Sequence, residues 1–307
     1  MTAVASTRTP VRRHRSTIFV EDSRVIAVTK LPGSQYVLRL HAPQTARAAT
    51  AGSFIHLQCD IDIPMRRPLS IMRANADDGW IEVLFKIVGI GLRSLGRKQP
   101  DDVLSVLGPI GKGFTPERDR PRVLLIGGGV GIPPMIFLAD TLRRDAHPWE
   151  ILVLMGSEIP FPFELVPSAL SCDWLAGDLV SAMPLLEGWG IPSRLASLSE
   201  FRGSFRGNVA ELARLWLQSQ SAEQLGQTAI FTCGPTPMLE AVAFMAQEFG
   251  VPCQAALEEY MACAVGGCAG CTVLVQTETG PAMKRVCVDG PVFDAATVFV
   301  APSRQSR

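Results

Sequence analysis

The chain has 307 residues, 47% of them hydrophobic and 19% charged, which is enough apolar mass for a sizeable core in two or three domains and too much for a disordered chain. Lys plus Arg and Asp plus Glu number 29 each, so the formal net charge is zero and no run of either sign marks a nucleic-acid-binding surface. No stretch approaches the ~18 uninterrupted apolar residues of a membrane-spanning helix, and the expectation is a soluble, cytoplasmic protein with no membrane partner.

Residues 1–17, MTAVASTRTPVRRHRST, carry a basic cluster at Arg12, Arg13, His14 and Arg15 with no apolar region behind it. That excludes a secretory signal and predicts a solvated, disordered tail. Over residues 18–115 the pattern changes to short β-like runs broken by turn residues: VIAVTKL, YVLRLHA, SFIHLQC, PLSIM, WIEVLFKIVG and VLSVLG. Their spacing predicts a small antiparallel barrel. Inside it, MRRPLSIM sets Arg67 and Ser70 three residues apart around Pro68 at a strand end. An arginine fork suits a pyrophosphate and a serine hydroxyl can reach a polar ring atom, although Arg67 reads equally well as a surface charge. The segment LGPIGKGF (Leu107 to Phe114) marks the exit from the barrel.

Residues 116–250 open with RVLLIGGGVGIPPMIFLADTLRR, an apolar strand, a glycine turn and a helical stretch, and a second strand follows at ILVLMG. Strand, turn, helix, strand is a βαβ unit, so a parallel, doubly wound α/β sheet is expected. The loop follows a strand and opens a helix, where backbone N–H groups and the helix dipole face an anion. That context favours Gly127, Gly128, Gly129 and Gly131 as nucleotide-binding over a purely structural turn. Glu158 follows the second strand with no arginine cluster beside it, which predicts NAD(H) over NADP(H). From Pro160 to Gly207 prolines and serines interrupt every period, and no element is legible. AELARLWLQ (helix), TAIFTCG (strand) and PTPMLEAVAFMAQEFG (helix) complete the domain. Cys233 ends that strand at the expected sheet switch point, where open α/β sheets bind ligands; the alternative is a buried small hydrophobe.

Residues 251–307 form a glycine-rich, loop-rich module. Of the eight cysteines, Cys263, Cys268, Cys271 and Cys287 fall within 25 residues in the pattern C-x4-C-x2-C-x15-C. In a large chain of cytosolic character such clustering favours a metal centre over disulfides. The spacing of the first three cysteines matches the plant-type 2Fe-2S pattern, and Gly266, Gly267 and Gly270 offer φ freedom and N–H donors around the sulfurs. A structural zinc site is the alternative, but it usually uses paired C-x2-C knuckles and only one exists here. Cys59, Cys172 and Cys253 read as buried hydrophobes, and Glu258 and Glu259 as solvated charge.

R-P-x-S in a barrel, the GGGVGIPPM loop, the CGPTPML strand end and a terminal module running from EEYMACAVGGCAGC to KRVCVDGPVF together closely resemble the electron-transfer subunits of the two-flavin dihydroorotate dehydrogenases. The resemblance covers about Ile18 to Phe293. It implies a ferredoxin-reductase-like flavoprotein with FAD held at Arg67, Pro68, Leu69 and Ser70, at Leu84, Phe85 and Lys86, and at Gly91 and Leu92. The chain has Gly91-Leu92 where the family typically has Gly-Thr and Lys86 where arginine is common, while Leu69 fits the dihydroorotate branch. The resemblance also brings Cys233 and Ser70 to the reacting nicotinamide and flavin as catalytic residues, with Gly234, Pro235 and Met238 shaping the pocket. It implies electron transfer among NAD(H), FAD and a 2Fe-2S cluster, and a partner in an FMN-containing catalytic subunit, in a heterotetramer serving pyrimidine synthesis. The rivals are a reductase of the same architecture feeding another dehydrogenase or an oxygenase, and a zinc-bearing regulatory protein.

Overall fold

The computed structural model describes residues 17–300; apart from Thr17, the expected tail lies outside the described residues. Strands β1 (Phe19–Leu31), β2 (Gln35–His41), β3 (Phe54–Leu57), β4 (Arg67–Asn75), β5 (Trp80–Lys86) and β6 (Val103–Ile110) close into an antiparallel barrel of order β1-β2-β5-β4-β3-β6. Alternation turns Val25, Leu38, Leu40, Ile55, Leu57, Ile71, Ile81 and Val83 inward to 0% exposure. Each such aliphatic side chain contributes about 1.5–3 kcal/mol by leaving water. One end is plugged by helix α1 (Pro43–Ala48), whose Gln44 and Thr45 N–H groups donate to the buried Glu21 carboxylate at 2.9 and 2.7 Å. The anion thus sits on the orphan donors of a helix start. Helix α2 (Gly89–Leu95) follows β5.

The second layer is a seven-stranded sheet. Strands β7 (Arg122–Gly128) and β8 (Glu150–Gly156) flank helix α3 (Ile132–Arg143). The stretch from Pro160 to Gly207, which shows no period in the sequence, folds into two paired two-residue strands, β9 (Val166–Pro167) and β10 (Ser181–Ala182), helix α4 (Pro184–Gly188), and strands β11 (Ser193–Ser197) and β12 (Phe205–Arg206). All these elements are five residues or fewer, too short to establish a period. Helices α5 (Val209–Gln218) and α6 (Ala222–Gly226), strand β13 (Thr228–Cys233), helix α7 (Thr236–Phe249) and strand β14 (Cys253–Ala256) complete the domain.

The cysteine segment leaves β14, makes the hairpin β15 (Thr272–Thr277) and β16 (Gly280–Arg285), and returns as β17 (Val292–Asp294) and helix α8 (Ala295–Val298). The sheet order is β12-β11-β8-β7-β13-β14-β17. Residues on both sides of the cysteine segment therefore belong to the sheet, with β17 antiparallel at the edge. That anchors the module at two points.

Alternation splits the sheet side chains between two cores. Val123, Leu125, Val153 and Met155 pack with α3 and the barrel, while Leu124, Ile126, Leu152 and Leu154 pack with α5 and α7. Helix α3 lies between sheet and barrel, which is why it is apolar nearly all round and almost wholly buried. Helix α5, with one face to water, is amphipathic and opens on a capping box from Asn208 and Glu211. Among the described residues no helix is long and apolar enough to cross a membrane.

Candidate functional site

The chain runs outward from β7 to β8 and β11, then crosses back to β13 on the other side of β7. The switch point therefore lies between β7 and β13, and their register sets Gly127 opposite Cys233 at the carboxyl ends. Thr232 Oγ1 donates to the Ile126 carbonyl at 3.0 Å one step below. Above this pair the two glycine-bearing loops interlock. A Cβ on Gly131 would collide with the Cys233 carbonyl and the Gly234 nitrogen, and one on Gly234 would lie 3.0 Å from Met238 Sδ and 3.2 Å from the Gly128 nitrogen. Gly127 closes on Ile132 Cα in the same way, at 3.0 Å. Gly129 alone takes φ +55° and faces open space. Close packing on one side and an open backbone on the other is the arrangement an anionic group needs to approach main-chain donors.

The barrel supplies the facing wall. Strand β4 packs against α3, and β5 touches the Gly129–Gly131 turn. Ser70 pairs with Phe54 and Pro68 with His56 across β3 and β4, so these four share the outward face of the barrel. Leu69 points the other way, into the barrel core. Leu84 and Phe85 are also buried, with Phe85 stacked on Tyr36 at 5.5 Å, so β5 offers a ligand its main chain and the half-buried Lys86. The Arg67 guanidinium lies on helix α2. Its Nη1 donates to the Met65 and Arg66 carbonyls at 2.8 and 3.2 Å, and its Nε and Nη2 would be 3.3 Å from a Cβ on Gly91. A side chain at Gly91 would press the fork by a few tenths of an ångström, and Leu92 packs against the barrel core beside it. These cradles fit a dinucleotide-type flavin at Arg67, Gly91 and Ser70 and a second nucleotide at the β7 and β13 loops.

The cysteine module completes the crevice. Met261, Ala264, Cys271, Val286 and Cys287 share one core with Phe54 and Ile110 of the barrel. Lys112 N–H, from the barrel exit, donates to the Gly290 carbonyl at 2.6 Å. Cys263 and Cys268 lie side by side, the Cys268 N–H reaching Cys263 Sγ, and Cys271 is the thiol that bears most on Cys287. Among the described residues no three His, Cys, Asp or Glu side chains converge on one point. Two pairs fit the two irons of a 2Fe-2S centre better than the tetrahedral cage of one zinc ion.

Backbone donors face the sulfurs: Cys268 N–H reaches Cys263 Sγ and Gly270 N–H reaches Cys268 Sγ, both at 3.4 Å. Main-chain donors bring the Cys263 thiol down to about 6, whereas burial and the neighbouring Cys271 push Cys287 up to about 12. Of the three glycines only Gly266 has positive φ (+82°), and the other left-handed positions of the loop are Ala264 (+56°) and Ala269 (+52°). At Gly267 and Gly270 a Cβ would make only ordinary contact with Cys263 and Cys268 Sγ, at 4.0 and 3.5 Å.

Two residues of the crevice have no signal in the sequence. Glu258, where the chain leaves β14, is exposed, and partial desolvation by its neighbours raises its carboxyl pKa. Its charge reaches Cys233, whose thiol is pushed well above its ordinary range by burial and then by Glu258. His56 is 1% exposed, and its ring lies beside the Met261 and Arg66 backbone without a well-aligned hydrogen bond to either nitrogen. Burial and then the Arg66 guanidinium lower its pKa, which favours the neutral imidazole. Its strand alternates like its neighbours and nothing in FIHL marks it.

Residues 258–299 match the model of the iron-sulfur cluster binding domain of dihydroorotate dehydrogenase B. A dihydroorotate dehydrogenase B (NAD(+)) electron transfer subunit from Geobacillus thermodenitrificans is 32% identical over 288 residues, covering 91% of this chain and 98% of the relative. The subunit of that name from Desulforamulus reducens is 29% identical over 276 residues, 89% and 96% of the two chains. Among solved structures, an NADH-dependent reduced ferredoxin-NADP oxidoreductase, described for flavin-based electron bifurcation, superposes with a TM-score of 0.72 at 22% identity over 91% of this chain and 90% of that one. A ferredoxin NADP+ reductase from Neisseria gonorrhoeae gives 0.56 at 16% identity over 75% and 92%. These two likenesses establish the fold.

Proposed function

The chain belongs to the family of dihydroorotate dehydrogenase B electron transfer subunits, and from that premise we propose that it carries electrons between NAD(H), FAD and a 2Fe-2S cluster on behalf of a separate dihydroorotate-oxidising subunit that binds FMN. The observation that carries this reading is the convergence of three cradles on one crevice: the Arg67–Gly91 fork, the interlocked β7 and β13 loops, and the paired thiols. When bound, the flavin accepts a hydride from nicotinamide and the cluster moves electrons singly.

The protein's part is positioning. Arg67 holds the flavin pyrophosphate through a charge-assisted contact. Ser70, on the outward barrel face, supplies a hydroxyl to the flavin ring edge. Gly127, Gly128, Gly129 and Gly131 leave main-chain donors open to the NAD phosphates. Gly234, Pro235 and Met238 shape the nicotinamide side, and Cys233, a neutral thiol, packs there without competing for a proton. Glu158 is exposed directly after β8 and disfavours the 2′-phosphate of NADP(H). Cys263, Cys268, Cys271 and Cys287 hold the cluster, and their module faces the partner. The cytoplasm is the compartment of this reaction.

Mixing the holoprotein with an FMN-containing dihydroorotate-oxidising subunit tests the reading. Dihydroorotate should then reduce NAD+, and neither subunit alone should do so. A partner that reduces NAD+ equally well without this chain would overturn it.

A further inference from the structure

At the amino edge of the sheet, opposite the crevice, lies a cleft of about 850 Å³ lined by four of the chain's five tryptophans, Trp149, Trp174, Trp189 and Trp216, together with Arg122 and Arg143. That volume lies within the range of small-molecule sites. The cleft forms because β7, β8 and β11 begin here while α3, α4 and α5 end here, and the segment from Ser168 to Val180 folds over one side. Two rings are partnered by cations from within: Arg143 lies 4.2 Å over Trp189 and Arg122 5.9 Å from Trp216.

Behind the wall Ser171, Cys172 and Asp173, a smaller chamber of about 260 Å³ is lined by Arg194. Arg194 is 4% exposed and donates to the Ser193 and Leu170 carbonyls, each at 2.7 Å. No carboxylate pairs with it, and its Nε has no partner among the described residues. Arg122 also has an Nε without a partner there, but its Nη1 lies 3.6 Å from the exposed Glu150 carboxylate and its Nη2 donates to Gln220 at 2.6 Å. A buried guanidinium without a counter-ion is costly, so an anion here relieves a real penalty. The carboxylates nearby do not pair with Arg194: Asp140 is committed to Arg143 and Arg144, Glu187 at the chamber is taken up by Ser168 Oγ and the Ala169 N–H at 2.8 and 2.7 Å, and Glu150 and Asp173 are exposed, where water screens them.

We infer that this cleft is a second ligand site, distinct from the nucleotide crevice, and that it takes a planar aromatic anion: a ring stacked on the tryptophans, its phosphate or carboxylate drawn by Arg122 and the uncompensated charge of Arg194. Flat faces without positive charge would select any aromatic compound, and the charge alone would select any anion. Their juxtaposition selects both properties in one molecule.

The test is calorimetric and fluorescence titration of the full-length holoprotein, with NAD+ present at saturation to occupy the crevice. The probes are cytidine 5′-monophosphate and salicylate as planar anions, cytidine as the neutral ring and inorganic phosphate as the ringless anion. The expected result is saturable, one-to-one binding of both planar anions with tryptophan quenching, and affinities at least about tenfold lower for cytidine and phosphate. Trp149→Leu and Arg194→Met should each weaken the planar anions by about tenfold or more while reduction of the flavin by NADH stays unchanged. Arg194 is buried, so Trp149→Leu decides the matter if Arg194→Met does not fold. Cytidine binding as tightly as its monophosphate, wild-type affinity in Trp149→Leu, or no binding of either planar anion at millimolar concentration would each overturn the inference.

Discussion

Gly131 and Cys233 meet main chain to main chain: the Cys233 carbonyl occupies the place that a side chain on Gly131 would take. Neither partner is a flexible side-chain end, so nothing can yield cheaply. Gly131→Ala must force the β7 and β13 loops apart, at the cost of about 1–3 kcal/mol typical of overpacking. If that cost falls on the nucleotide loops, NADH affinity drops roughly 5- to 150-fold with flavin content unchanged. Equilibrium titration with NADH and a flavin count on the purified variant check both halves.

Arg67 should matter for the flavin and not for the nicotinamide nucleotide. With Nη1 tied to the Met65 and Arg66 carbonyls, Nε and Nη2 remain over Gly91. A charge-assisted hydrogen bond contributes roughly 1.5–3 kcal/mol, so Arg67→Ala should weaken FAD binding about 10- to 100-fold. Retention of full flavin after dilution and gel filtration would remove Arg67 from the pyrophosphate site.

Glu258 predicts a pH dependence with a definite sign and, since its side chain is exposed and water screens it, a small size. Desolvation raises its folded pKa above the value in the unfolded chain, so its protonated form contributes stability that is complete below the ordinary carboxylate range, about 4.3 for glutamate, and is lost as pH rises through the folded pKa. Glu258→Gln keeps the neutral shape at every pH. The Tm of the variant should match wild type at the acid end and exceed it progressively as pH rises, measured by thermal scans of the flavin-loaded proteins. A Tm difference that does not change with pH would mean that Glu258 is not so desolvated.

Cys287 is 3% exposed and set in the core shared by barrel and sheet. Serine offers a hard oxygen in place of a soft thiolate, so Cys287→Ser should lose or damage the cluster while the barrel and the sheet keep FAD and NADH. Rapid mixing should show flavin reduction by NADH at the wild-type rate and no delivery of electrons to the partner subunit. Circular dichroism and flavin content exclude unfolding of the docking surface as the cause. Wild-type delivery by a folded, cluster-free variant would break the proposed relay.

The barrel, the βαβ unit and the cysteine spacing were legible because each is a local pattern: alternation inside strands, glycines between strand and helix, thiols within one loop. The part between Pro160 and Gly207 was not. Strand β11 reads SRLAS, with two serines and an arginine, yet all five residues are buried, held there by pairing with β8 and β12 rather than by apolarity. Glu258 reads as solvated charge and is exposed, while the desolvation that raises its pKa comes from elements far away in the chain. The same holds for Trp149, Trp174, Trp189 and Trp216, which no sequence period links and which the sheet topology alone gathers. In the cluster loop the glycine count was a guide at Gly266 alone, which is both tight and left-handed, while Ala264 and Ala269 take the other left-handed turns. Such turns cost a non-glycine residue about 1–3 kcal/mol and persist where the surroundings fix them.

The most direct test of the central claim is an anaerobic titration of the purified chain with NADH, followed by visible absorption and electron paramagnetic resonance. The account predicts one flavin and one 2Fe-2S cluster per chain, with the flavin bands bleaching and a rhombic cluster signal rising as NADH is added. A protein that is colourless, or that carries zinc with no iron at the four cysteines, would contradict it.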